Sequence, residues 1–229
     1  MLPQAEEPLK AEALRLYRRY RDEIVLEFGL CPWAERALNL GQVTERVVLG
    51  GPETVMKSVS GVVAELAMSE AIEVALLIFP EFELMRPNFD RFAQQVRDSL
   101  EGTDHGAVFA LAAFHPVAEP NRGTSERFIP FLRRTPDPTL QLVRYSVLQR
   151  VREGTPQGTQ FLDLQAFDPA VLASLKEEKS LREKIADRNL LEAERVGIET
   201  LAQIFADIQA DRARSYQRLA DAATRVDSP

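Results

Sequence analysis

Two apolar runs, EVALLIFP at residues 73–80 and GAVFALAAFHP at 106–116, constrain the fold of this chain most strongly. Each is too short for an ordinary helix and each is halted by a proline, the pattern of a strand buried on both faces. Residues 87–101, PNFDRFAQQVRDSLE, lie between them and read as an amphipathic helix. Upstream, QVTERVVLGG alternates through Val43 and Val47 and closes on two glycines, so it reads as a strand. PETVMKSVSGVVAELAMSE, which follows, reads as a helix despite Gly61. The order is therefore β-α-β-α-β. Helical crossovers join parallel strands through right-handed connections, so the expected fold class is α/β, a small and mainly parallel sheet flanked by helices.

Helices are expected at both ends of this unit. Leu9, Leu16, Tyr20, Ile24 and Phe28 share a face from Pro8 to Phe28, and Gly29 supplies a stop. A short helix with Pro32 in its first turn should end at Gly41. Residues 117–137 carry three prolines and four arginines without periodicity, and read as a long irregular loop. PTLQLVRYSVLQRVREG then reads as a helix, with Asp137 as N-cap and Pro138 in the first turn. GTPQGT lacks the lysine and spacing of a nucleotide loop and reads as a turn. From Asp168 onward the chain reads as mostly helical. The organisation expected is an α/β domain over 8–167 and a helical C-terminal segment over 168–229. The final apolar stripe packs either on that domain or on a second copy of the chain, as a homodimer.

Composition excludes several function classes. A formal net charge of -7 argues against nucleic acid as the partner, because phosphate neutralisation needs a basic surface. The single cysteine excludes an internal disulfide and any cluster of cysteine metal ligands. No apolar run approaches the roughly 20 residues of a membrane span. MLPQAEEPLK has no apolar stretch and does not read as a secretory signal. A soluble, cytoplasmic protein is the expectation. No fingerprint assigns a cofactor: P-loop, dinucleotide glycines, G-x-S-x-G and H-E-x-x-H are all missing.

The candidate chemistry lies at element ends. Cys31, beside the only tryptophan, Trp33, falls near the start of the short helix. There the helix dipole would favour a thiolate, and the competing reading is a small buried hydrophobe. His115 ends a buried strand on the side where open parallel sheets bind ligands, as acid, base, ligand or hydrogen-bonded structural residue. His105, in EGTDHG, looks incidental. Arg133 and Arg134 precede the helix expected from Pro138, and Arg144 lies within it less than two turns on. Guanidiniums beside a helix start can hold a carboxylate or phosphate, or can simply pair with the abundant surface acids. One well-placed histidine and one cysteine are too few for a zinc site of those ligands, and no metal is expected.

Four pieces, GLCPWA at 29–34, FHP at 114–116, RTPDPTLQLVR at 134–144 and IADRN at 185–189, occur in an order that resembles the bacterial domain-of-unknown-function family 1415. The resemblance spans roughly residues 10–197. It implies that Cys31, His115, Arg134, Arg144, Arg188 and Asn189 gather together; in an enzyme, Cys31 and His115 would be the catalytic pair and the other four would bind substrate. It carries no reaction. The chain departs from the family pattern at Arg133, Gln141 and Tyr145, where members carry Asn, His and Glu, which implies an altered site. Three functions follow from these residues. One is an enzyme acting on a small anionic metabolite, another a non-catalytic module binding an anionic ligand or a protein. The third is an assembly protein using its C-terminal helices.

Overall fold

A computed structural model describes residues 3–31, 33–83, 85–103, 108–154 and 180–226. The elements run α1 (Pro3–Tyr20), a π-helical segment (Arg21–Leu26), α2 (Ala34–Asn39), β1 (Val43–Val47), α3 (Pro52–Met68) and β2 (Val74–Ile78). They continue with α4 (Arg86–Leu100), β3 (Phe109–Phe114), α5 (Ser125–Leu132), β4 (Thr139–Arg144), α6 (Tyr145–Gly154), α7 (Leu181–Val196) and α8 (Ile198–Val226). The readings of Pro32, of His105, of the GTPQGT turn after Gly154 and of a helix over 168–179 fall outside the described residues.

The fold is mixed α/β, but its sheet is not mainly parallel. The strand order is β1-β2-β4-β3. Only β1 and β2 pair in parallel, whereas β4 runs antiparallel to both β2 and β3. The expected crossovers survive in one respect: β1, β2 and β3 all point the same way, and β4 slips between the last two. The difference lies in TLQLVR, which is a strand and not the start of a helix. Its Leu140 and Leu142 are buried with Gln141 and Val143 on the other face, a period of two, and Thr and Val favour the pleated surface. The helix begins only at Tyr145, as α6.

Three further boundaries differ from expectation. The long irregular loop contains α5, because Thr124 caps it by accepting from the Arg127 N–H and because Phe128, Phe131 and Leu132 bury one face. The first helix passes into the π-helical segment, which keeps Ile24 buried. The short helix starts at Ala34 with Trp33 as N-cap, so Cys31 precedes it, its carbonyl accepting from the Ala34 N–H at 3.1 Å.

Strict alternation divides the sheet's side chains between two cores. Ala75, Leu77, Leu140 and Leu142 face α3 and α4, where they meet Val55, Val59, Phe89, Phe92 and Val96. Leu76, Ile78 and Phe114 face the other way, toward Tyr17, Tyr20, Phe128, Phe131, Leu201, Phe205 and Ile208. The apolar stripe of α8 is thus covered by α1 and α5 of the same chain. Gly197, at φ 98, turns α7 into α8 in a conformation that a side chain would strain.

Phe79 sits at the centre of the first core, its ring 5.0 Å from Phe82, 5.8 Å from Phe92 and 6.1 Å from Phe89. Phe79→Ala is expected to lower the unfolding free energy by about 3–5 kcal/mol. Urea titration should show this as a lower midpoint at unchanged slope.

Candidate functional site

Thr139, the first residue of β4, pairs with Ile78 on one side and Phe114 on the other. The carboxyl ends of β2 and β3 therefore meet the amino end of β4 at one edge of the sheet. Residues 133–138 cross that edge. Their carbonyls anchor the neighbouring chain: Phe79 N–H donates to Pro138 O at 3.0 Å and His115 N–H to Arg133 O at 3.1 Å.

His115 is 8% exposed, with its ring 5.9 Å from that of Phe89. Its Nδ1 accepts the Val117 N–H at 3.1 Å. The Val117 carbonyl stands at 3.4 Å from the same nitrogen, a longer and weaker contact.

The two arginines of this segment differ. Arg133 lies over the Phe114 ring at 5.0 Å. Arg134 donates from Nε to Pro116 O at 3.1 Å and lies over Phe131 and Phe205 at 5.7 and 5.2 Å. Burial pulls the Arg134 guanidinium below its usual pKa, with Glu119 acting the other way.

Cys31 is half-buried and unbonded to another thiol. Burial pushes its pKa up, while the backbone N–H groups of Trp33 and Ala34 and the charge of Arg133 pull it down, and burial prevails. Cys31 thus shares an electrostatic neighbourhood with Arg133 and with Tyr20, whose hydroxyl is buried and donates to Leu132 O at 2.8 Å. Two residues before Cys31, Gly29 at φ 56 leaves room for Arg188, whose Nη2 lies 3.8 Å from where a Cβ would stand. Asn189 follows on the buried stripe of α7, at 8% exposure between Ala186 and Ala193. Its amide makes no side-chain hydrogen bond among the described residues.

Arg144 is elsewhere. As the last residue of β4 it pairs with Phe109, at the opposite end of the strand from Thr139 and roughly 17 Å away at strand rise. Its guanidinium closes the carboxyl end of α3, donating to Leu66 O at 2.7 Å, Ala67 O at 3.2 Å, Ser69 O at 2.7 Å and Ile72 O at 2.6 Å. It also lies over Phe109 at 5.0 Å. The structure thus links Cys31, His115, Arg133, Arg134 and Arg188 by contacts or charge, and gives Arg144 a separate capping role.

Asp137, expected as an N-cap, is instead 1% exposed and bound to α8. Arg212 Nε donates to its Oδ1 at 2.6 Å and the Tyr216 hydroxyl to its Oδ2 at 2.7 Å. Burial pushes the Asp137 carboxyl up, and those two partners oppose it. One signal for this contact was present in the sequence: Arg212 and Ser215 continue the buried stripe of Leu201, Phe205 and Ile208, where solvated polar residues do not belong.

Among the described residues, no group of three or more His, Cys, Asp or Glu side chains is placed to hold a metal ion. No described helix is long and apolar enough to cross a membrane.

The fold is mixed α/β, and His115, Arg133 and Arg134 lie where the carboxyl ends of β2 and β3 meet the amino end of β4. Residues 12–164 match the family described as Protein of unknown function (DUF1415), and the chain belongs to that family. The match covers the GLCPWA, FHP and RTPDPTLQLVR pieces and stops short of IADRN. Comparison with curated proteins and with solved structures returned no match.

The raised thiol pKa has a direct consequence. At neutral pH Cys31 holds a smaller thiolate fraction than free cysteine, and the fraction grows as pH rises toward the shifted value. Iodoacetamide should therefore alkylate the folded protein more slowly than free cysteine at pH 7.5, with the gap closing at higher pH. Mass spectrometry of the single thiol reads the rates.

Proposed function

We propose that this chain binds a small anionic metabolite at the edge formed by residues 29–31, 115–117 and 133–134, with Arg134 as the principal anion ligand. The carrying observation is a contrast among half-buried arginines. Arg19, Arg21, Arg86 and Arg212 each lie within salt-bridge range of a carboxylate, at 2.7, 2.8, 3.6 and 2.6 Å. Arg144 has its helix carbonyls. Arg134 has one carbonyl and two phenyl faces, and its Nη groups meet no carboxylate among the described residues. In a chain with a formal charge of -7, carboxylates are not scarce. A half-buried guanidinium that makes no salt bridge, with Glu119 acting on it only through charge, is best completed by an anion. The exposed Arg188, beside Gly29, adds a donor suited to carboxylate or phosphate oxygens.

Catalysis by Cys31 is the second reading, favoured by the two amides and the Arg133 charge acting on the thiol. Burial nonetheless opposes thiolate formation at Cys31. Binding is therefore the function that the geometry supports best, with turnover requiring a substrate that shifts the thiol toward thiolate.

Trp33, the only tryptophan, reports on this edge by fluorescence. Titration with inorganic phosphate and with malonate is expected to saturate at about 1 mM or below for at least one of them. Arg134→Ala should weaken that affinity about 10- to 100-fold, and Cys31→Ser should leave it unchanged. Arg144→Ala should lower stability by about 2 kcal/mol, through loss of its carbonyl bonds, without altering affinity. Full retention of binding in Arg134→Ala, or no saturable binding of either anion by the wild type, rules the proposal out. A metabolite consumed by the wild type and not by Cys31→Ser would establish the catalytic reading.

A further inference from the structure

We propose that α8 is the positioning element of this site, its residues Phe205, Gln209, Arg212 and Tyr216 holding the segment from Arg134 to Asp137 so that the Arg134 guanidinium is presented to the anion. The inference rests on the anion-binding reading and assigns a role to chain beyond residue 164, where the family match ends.

The four residues recur at intervals of four, three and four, which puts them along one face of the helix. That face meets the segment residue by residue. Phe205 lies under the Arg134 guanidinium at 5.2 Å. Gln209 Nε2 donates to Thr135 O at 3.3 Å and to Pro136 O at 3.2 Å. Arg212 and Tyr216 take the two carboxylate oxygens of Asp137 at 2.6 and 2.7 Å, and Arg212 Nη2 reaches Pro80 O at 3.3 Å.

The segment needs such help because of its own composition. Pro136 and Pro138 lack N–H groups, so the sheet ladder cannot fix this stretch of backbone. Its carbonyls are instead held by side chains, Thr135 and Thr139 both donating to Asp137 O at 2.7 and 2.9 Å. Stability alone does not require a buried Asp–Arg pair, since apolar residues of similar volume often serve as well or better. Two carboxylate bonds and two carbonyl bonds directed at consecutive residues define a position. The residue at the start of that run is Arg134.

The test uses the full chain, phosphate and malonate titrations followed by Trp33 fluorescence, and melting temperatures for every variant. Gln209→Leu and Tyr216→Phe are each expected to weaken anion affinity about tenfold. In an Arg134→Ala background they should cause no further loss, because they act through that guanidinium. Asp211→Ala serves as the control: Asp211 lies on the same helix but bonds Arg15 and Arg19 of α1, not the segment. It should lower the melting temperature while keeping affinity within about twofold. A similar loss of affinity in Asp211→Ala, or a further loss in the Arg134→Ala background, would mean that α8 acts only through stability and overturns the inference. Unchanged affinity in Gln209→Leu and Tyr216→Phe, with Arg134→Ala defective, overturns the role of α8 and leaves the anion site standing. If Arg134→Ala binds normally, both fall.

Discussion

The antiparallel insertion of β4 between β2 and β3 satisfies two rows of backbone groups at once, and the rest of the molecule is arranged around it. A central strand buried on both faces must be paired on both edges, because an unpaired amide or carbonyl there costs about as much as a lost hydrogen bond. With β4 in place, Leu140 and Leu142 complete the core under α3 and α4. The same insertion brings residues 133–138 across the ends of β2 and β3. His115 and Arg134 therefore become neighbours through the sheet.

Much of this frame was legible in the sequence, for physical reasons that can be named. β2, α4 and β3 announce themselves because an all-apolar run closed by proline and a strongly one-sided helix have few alternative readings. TLQLVR does not. It follows Asp-Pro, a good helix start, and runs directly into YSVLQRV, a good helix, so local propensity favours one long helix. What overrides that preference is the open edge of β2, a tertiary fact with no local signal. The arginine loop hid α5 because Pro130 lies inside it and masks the spacing of Phe128, Phe131 and Leu132.

The same misreading explains what happened to the candidate site. On a helix, Arg144 would stand within two turns of the helix start at Pro138, on the side that Arg133 and Arg134 flank. On a strand it is carried to the far end of the sheet, where the carbonyls at the end of α3 occupy it. The place of His115 was readable because a proline marks where β3 ends, whereas Arg134, expected before a helix, stands before β4. Asp137 was not, because its partners Arg212 and Tyr216 lie more than seventy positions away on a helix whose docking face no short motif reveals.

The position of β4 also bears on how the chain is made. VALLI, the strand β2, is apolar throughout and central in the sheet, and one of its edges is covered by residues 139–144. A ribosome will therefore have synthesised β1, α3, β2, α4 and β3 before the strand that separates β2 from β3 exists. Until β4 is made, the facing edges of β2 and β3 lack the strand that pairs with them in this sheet, and unpaired apolar edges favour pairing with foreign strands. Any fragment ending before Thr139 would keep that surface permanently. The antiparallel strand thus seals the sheet, and the segment at its amino end is held only after the still later α8 has been made.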